Sequence, residues 1–153
     1  MKNITALLKI GFIFFAFLIV SCSKEETVSN DIEGQWTVVS YENFETSTSI
    51  TKSDDNTWID YNNGDVTVNF SLTDKATGEI SGKKVTNNYS GTFKIGNDKK
   101  LTVNNLFGTE ISEPEWGRMF STILLAESYE VQGNLLTIFY SNKKKGIVLE
   151  KSR

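Results

Sequence analysis

Apolar and polar residues alternate along much of the chain, which is the pattern of short β-strands. At 66–72 apolar residues occupy every second position, so one face of a strand meets a core. Other segments rich in β-branched and aromatic residues, bounded by Gly, Asn and Asp, are also predicted as strands: 36–41, 58–61, 79–85, 89–95, 101–106, 129–132, 135–140 and 147–151. About eight or nine short strands favour a small antiparallel β-barrel or a sandwich. The polar stretch 45–56 is expected to be a mobile loop.

One stretch departs from this period of two. Its apolar side chains recur at helical spacing: Trp116, Phe120, Ile123 and Leu124. Ser112 and Glu115 have the Ser-x-x-Glu spacing of a capping box, and a proline is tolerated in a first helical turn. We predict one helix near 113–126, packed on the sheet through the apolar stripe. The expected fold class is therefore all-β with one helix.

The N-terminal segment has the pattern of an export signal. Lys2 and Lys9 are followed by an uncharged apolar run at 10–20. That run is too short to cross a bilayer as a helix, which needs about 20 residues. A basic start followed by a run of this length is typical of a signal peptide. We predict a signal peptide at 1–21, against the alternative of a short buried helix.

The apolar run ends in Ile19, Val20, Ser21 and Cys22, which resemble the lipobox of bacterial lipoproteins. The resemblance implies cleavage before Cys22, the one cysteine of the chain, and lipidation of its sulfur. Acyl chains anchor a protein through burial of their methylene groups in the bilayer. Residues 22–31 are then a lipidated cysteine with a flexible polar tether, and 32–153 form the β domain.

A short charged stretch directly follows the cysteine: Ser23, Lys24, Glu25 and Glu26. It resembles the surface-export signal of lipoproteins from Bacteroidota, although any lipoprotein tether can carry such charges. We expect an outer-membrane, lipid-anchored protein, with display at the cell surface favoured over a periplasm-facing anchor.

Composition removes several classes of chemistry. The chain has no histidine, so a Ser-His-Asp triad, a Cys-His pair and a His-ligated zinc are excluded. A single cysteine forms no disulfide within the chain and no metal-binding cysteine cluster. The formal net charge of -3 gives no basic footprint for nucleic acid. We therefore predict no catalytic residues, no metal, no cofactor and no nucleic-acid partner.

Three charged clusters are candidate sites. The carboxylates Glu110, Glu113 and Glu115 could act in pairs, but acids in a first helical turn are favoured by the helix dipole. The segment 54–65 holds Asp54, Asp55 and Asp60 but lacks the ligand order of an EF-hand, so a solvated turn is favoured over weak calcium binding. The lysines at 143–145 are interpreted as a solvated hairpin tip, with contact to an anionic headgroup or glycan as the alternative.

From 78 to 151 the order of motifs resembles the META domain family of small bacterial envelope proteins. The matching segments are 80–82, 87–91 (NNYSG), 97–101, Thr109, 115–125, 129–136 (YEVQGNLL) and 147–149. Gly34 and Trp36 resemble the Gly-x-Trp opening shared by this family and lipocalin-like domains. The chain departs from the family at Thr86 and at Ser112 or Glu113, where members often carry cysteines. The family has no established catalytic residues, so none is carried over.

These observations favour a non-enzymatic protein of the envelope. We expect a lipid-anchored binding or envelope-maintenance module whose partners are the membrane, through the anchor, and either another protein or a small apolar ligand. The alternatives are a lipocalin-like carrier of a small apolar ligand and a carboxylate-dependent hydrolase or lyase. A hollow barrel favours the carrier, and a filled one favours contact through the outer surface.

Overall fold

The computed structural model describes residues 31–152 and confirms the predicted fold class: a β protein with one α-helix, besides short 3₁₀ turns at Asn62–Gly64 and Asn97–Lys99. Every predicted strand except 58–61 is present. The strands are β1 (Gly34–Asn43), β2 (Thr48–Thr51), β3 (Thr67–Leu72), β4 (Thr77–Lys83), β5 (Asn88–Ile95), β6 (Leu101–Gly108), β7 (Ser128–Gln132), β8 (Leu135–Tyr140) and β9 (Lys145–Lys151).

All strands belong to one antiparallel sheet that curls into a half-barrel. The order of the strands is β6-β5-β4-β3-β1-β9-β8-β7. The remaining strand, β2, pairs with the C-terminal part of β1. The two edge strands approach each other at one point. There the amide of Leu101 donates to the carbonyl of Glu127 at 3.0 Å, and Lys100 and Ser128 form a single β-bridge.

The register defines two ends of the half-barrel. β1 begins where the N-terminal segment enters, next to the turns at 73–76, 96–100 and 133–134. Lys99 in one of these turns forms an ion pair with Asp31 at 2.7 Å. We call this the tether end. The opposite end, which we call the far end, carries the β1–β2 turn, the β8–β9 tip, the β4–β5 turn and the segment after β6.

The prediction of a strand at 58–61 was wrong. This stretch lies in the connection between β2 and β3 and forms turns: the amide of Tyr61 donates to the carbonyl of Trp58 at 3.1 Å. Thr57, which is buried, holds the base of the connection by donating its hydroxyl to the Gly64 carbonyl at 2.9 Å. Trp58, Ile59 and Tyr61 are consequently exposed. Aromatic and β-branched residues favour strands only where a neighbouring strand offers a surface to pack on.

The prediction that all of 45–56 is a loop was also wrong in part, because β2 spans Thr48–Thr51. The chain turns back after β1 and pairs as β2, with Tyr41 opposite Ile50 and Asn43 opposite Thr48. All four residues of β2 are exposed. An exposed strand has no apolar alternation, so its pattern could not distinguish it from a loop.

The helical segment lies within the predicted range but differs in geometry. An α-helix, α1, spans Glu115–Met119, and a 3₁₀-helix continues from Phe120–Leu125. The predicted capping box does not form, because the N-cap is Pro114 and no side chain caps the helix. The 3₁₀ geometry repeats every three residues, so Phe120 and Ile123 face the core while Leu124, predicted to be buried, is 46% exposed.

Candidate functional site

The inside of the half-barrel is packed with the chain's own side chains. Every strand of the main path turns aromatic or aliphatic residues inward, and the helical segment adds Trp116, Phe120 and Ile123, each 0% exposed. Edge-to-face contacts join several rings, with centroids 4.8 Å apart for Tyr41 and Trp116 and 5.2 Å apart for Phe70 and Phe93. The interior positions are therefore occupied by core residues.

Glycines on β4 and β5 make this packing possible. Across the two strands, Gly78 lies opposite Phe93, Ile80 opposite Gly91, and Gly82 opposite Tyr89. A Cβ atom at Gly78 would come within 2.6 Å of the Phe93 ring. The Phe93 and Tyr89 side chains thus lie over Gly78 and Gly82 of β4, which lets large rings pack inside the curved sheet.

Two buried tyrosines have structural hydroxyls. Tyr41 Oη donates to the Trp116 carbonyl at 3.0 Å, and Tyr89 Oη donates to the Thr67 carbonyl at 2.8 Å. Burial, with smaller contributions from Tyr140 and Glu113, raises the pKa of Tyr41 far above its usual value. Burial and then Tyr41 also raise the pKa of Tyr89. Both hydroxyls stay protonated and join separate parts of the core.

Of the three glutamates weighed as a carboxylate pair, Glu113 alone takes part in a hydrogen-bond network. Its Oε2 accepts from the Thr86 hydroxyl at 2.7 Å, the Asn87 amide at 3.1 Å and Asn87 Nδ2 at 2.6 Å. Asn87 in turn accepts from the Ile111 amide at 2.8 Å and from the Thr109 hydroxyl at 3.0 Å. This network fastens the segment after β6 to the β4–β5 turn, which is a structural role.

The other predicted clusters remain on the surface. Glu110 and Glu115 are exposed, as are Asp54, Asp55 and Asp60. Within residues 31–152 no group of three or more acidic or cysteine side chains is arranged to hold a metal ion. The 143–145 lysines lie at the β8–β9 tip, as predicted, where Lys144 pairs with Glu45 at 2.8 Å.

Cys22 and the segment Ser23, Lys24, Glu25 and Glu26 lie outside the described residues. The structure therefore leaves the predicted lipidation and export sites as predictions. In the part of the chain that it describes, there is no helix long and apolar enough to cross a membrane.

Most of the large exposed apolar side chains lie at or near the far end. Among residues 31–152 the large ones there are Phe44, Ile50, Trp58, Ile59, Tyr61, Phe107 and Ile111. Leu135 is the large exposed apolar side chain in a turn of the tether end, and Leu124 and Leu125 lie on the helical segment. Sequence reasoning did not single out Phe107, which is 71% exposed. Among these side chains Trp58 and Tyr61 contact each other, with ring centroids 6.1 Å apart, and adjoining exposed apolar groups can serve as contact surfaces.

Comparison with known proteins supports the fold and leaves the function open. No family model matches the chain, and no curated protein matches it. Among solved structures, the half-barrel is similar to a DUF4847 family protein from Bacteroides vulgatus ATCC 8482, with a TM-score of 0.57. The similarity covers 78% of this chain and 93% of that chain at 20% identity. At this identity the likeness establishes a shared architecture alone.

Proposed function

We propose that the protein is a lipid-anchored, non-catalytic binding module of the outer membrane that contacts its partner through its outer surface. The packed interior is the observation that carries this proposal. A carrier of a small apolar ligand needs a cavity lined by few polar groups. Here the inward positions hold core residues such as Trp36, Phe93 and Leu136, each at most 2% exposed. Contact through the outside is therefore favoured over carriage.

The two ends of the half-barrel fit this role. A tether from Cys22 would reach the domain at Asp31, where the ion pair with Lys99 holds the chain to the tether end. The exposed apolar side chains lie mainly at the other end. An anchored molecule would thus leave the exposed apolar side chains of the far end accessible to a partner.

The proposal also keeps the resemblance to the META domain family. Thr86 stands where family members often carry one cysteine, and Ser112 or Glu113 where they carry the second. The Thr86 hydroxyl lies 2.7 Å from both the Ser112 carbonyl and a carboxylate oxygen of Glu113. Hydrogen bonds therefore link the same two places that a disulfide would link, which supports the resemblance.

Lipid labelling of cells tests the anchor. The Cys22→Ala chain should accumulate as unprocessed precursor and incorporate no labelled palmitate, because the acceptor thiol is missing. The Ser23→Ala chain is the matched control and should be labelled normally. Normal membrane association of processed Cys22→Ala protein would contradict the anchor.

A titration with a fatty acid tests surface contact against carriage. Oleate added to the lipidated protein in micelles should leave the methyl resonances of Ile138 and Leu149 unshifted, because both side chains are 0% exposed in a packed interior. Saturable shifts at these two residues would identify a carrier and refute the proposal.

A further inference from the structure

The outer face of β4, β5 and β6 carries short polar side chains beside one exposed aromatic ring. The register places Ser81 opposite Ser90, and Ser90 opposite Phe107. The neighbouring row on the same face runs from Glu79 through Thr92 to Asn104. Together with Asn105 these residues form what we call the outer patch: Glu79, Ser81, Ser90, Thr92, Asn104, Asn105 and Phe107.

A β-bulge sets the direction of the aromatic ring. The β5–β6 register shifts between Ser90 and Thr92, so Asn105 and Leu106 together face Gly91. Asn105 has a φ of 52°, in the left-handed region. The extra residue turns Leu106 toward the core and Phe107 toward solvent. Bulges of this kind re-aim side chains beside binding sites.

Short side chains next to Phe107 leave an open depression of about 360 Å³, lined by Ser81, Ser90, Gly91 and Asn105 among others. A second depression of about 370 Å³ adjoins it and shares Glu79 and Thr92. The two form a continuous shallow groove that runs along β4 and β5 from Phe107 toward the tether end. A chain-like ligand of several units fits such a shape.

The polar groups of the outer patch are available to a ligand. Within residues 31–152 the six polar side chains of the patch make no hydrogen bond or ion pair to the protein. By contrast, Thr86 and Asn87, close by in the β4–β5 turn, are bound to Glu113. The Glu79 carboxylate lines both depressions and Lys94 lines the second, so the groove carries one charge of each sign and no net charge that would select an anionic or a cationic ligand.

We propose that the outer patch binds a neutral oligosaccharide, a ligand class that deepens the surface-binding role proposed above. The C–H face of a sugar ring is apolar and would stack on the Phe107 ring, while hydroxyls radiate from the edge of the sugar. Those hydroxyls would hydrogen-bond with the Ser90 and Thr92 hydroxyls, the Asn105 amide and the Glu79 carboxylate. A neutral polyhydroxylated chain matches both the chemistry and the length of the groove.

Binding measurements on the full lipidated protein test the site. The protein is held in sugar-free detergent micelles and titrated with maltohexaose, cellohexaose and mannohexaose by calorimetry, with amide shifts recorded in parallel. At least one hexasaccharide should bind and shift the amides of Ser90, Thr92 and Phe107. The Phe107→Ala substitution should weaken that binding about tenfold or more, which corresponds to about 1.4 kcal/mol.

The controls separate the patch from other surfaces. Leu125→Ala removes an exposed apolar side chain of the helical segment, 59% exposed, and should leave the affinity unchanged. Ser90→Lys places a long side chain in the depression and should abolish binding. Because Ser90 is exposed, the midpoint of unfolding should stay the same. Absence of binding by all three sugars, or shifts outside the outer patch, overturns the saccharide site. Failure of the anchor is measured separately with Cys22→Ala, so the two failures are distinguishable.

Discussion

Trp36 shows how one residue ties the start of the domain to its core. Its side chain is 1% exposed, and its indole nitrogen donates to the Ile32 carbonyl at 2.8 Å. Lys151 Nζ lies 4.5 Å from the ring centroid, so the last strand covers the ring as well. Its place two residues after Gly34, at the start of an apolar strand, predicts a buried residue from the sequence.

Replacing this tryptophan should cost much of the stability of the domain. We expect Trp36→Ala to lower the free energy of unfolding by about 3–5 kcal/mol, because a large cavity and an unpaired carbonyl remain. Trp58→Ala is the matched control; its ring is 41% exposed and its loss should cost about 0.5 kcal/mol or less. Urea unfolding measures both, and equal losses for the two tryptophans would contradict the assignment.

For other residues, the local sequence pattern does not predict whether the side chain is buried or exposed. Trp58, Ile59 and Tyr61 have strand-forming side chains, yet the chain around them is fixed by Thr57, which bonds to Gly64. Phe107 was overlooked because its exposure depends on a bulge between β5 and β6. Both outcomes depend on contacts with other parts of the chain, which local periodicity does not contain.

Among the secondary-structure elements, the helical segment lies where the sequence predicts it, but a different set of its side chains faces the core. An α-helix would align Leu124 with Phe120, four residues apart, whereas the observed 3₁₀ turn aligns Ile123 with Phe120 instead. Sequence alone could not choose between these periods, because apolar residues stand at both 123 and 124. Burial against the curled sheet decides which of the two faces inward.

Alanine substitutions distinguish the 3₁₀ geometry from a continuous α-helix. Phe120→Ala should cost about 3–5 kcal/mol, because its side chain is 0% exposed. Leu124→Ala should cost about 0.5 kcal/mol or less, because its side chain is 46% exposed. The measurement is the free energy of unfolding in urea. A loss of about 2 kcal/mol or more for Leu124→Ala would favour the continuous α-helix predicted from sequence.

Gly117 links the same segment to the Glu113 network. A Cβ atom at Gly117 would lie 2.7 Å from the Glu113 Cδ and closer still to Oε1. The carboxylate could then no longer reach Thr86 and Asn87 without a shift. Helix propensity alone would make Gly117→Ala stabilising by about 1 kcal/mol, so packing and propensity predict opposite signs.

A double-mutant cycle resolves this conflict. We expect Gly117→Ala to lower the unfolding free energy in the native background, since it displaces the hydrogen-bonded carboxylate. In the Glu113→Ala background the same change should become neutral or stabilising, because the clash is gone. Stabilisation of equal size in both backgrounds would show that Glu113 does not need the glycine.

For the whole molecule, the alternation of residues predicts the β architecture but does not decide whether the interior is hollow or filled. Alternation of apolar and polar residues predicts strands with one face inward, but a hollow and a filled barrel share that alternation. The interior is filled because Gly78 and Gly82 on β4 receive Phe93 and Tyr89 from β5. These pairings depend on register, which is fixed by the assembled sheet and its turns.

The side of the outer membrane on which the domain is displayed is also a property of the whole molecule. If the charged stretch after Cys22 is the surface-export signal, the half-barrel and its far end meet the medium outside the cell. A combined Lys24→Ala, Glu25→Ala and Glu26→Ala chain should then stay lipidated but lie on the inner face of the outer membrane. The physical reason is that the transfer machinery would read charge close to the anchor and not the folded domain.

Protease shaving of intact cells measures this display. Added proteinase should digest the native protein, whereas the triple variant should be protected until the outer membrane is opened. A matched pair of substitutions further along the tether, Ser29→Ala with Asn30→Ala, should leave digestion unchanged and control for altered tether chemistry. Equal digestion of the triple variant and the native protein would show that this stretch is only a polar tether. Protection of the native protein itself would place the half-barrel in the periplasm, where its far end would face partners between the two membranes.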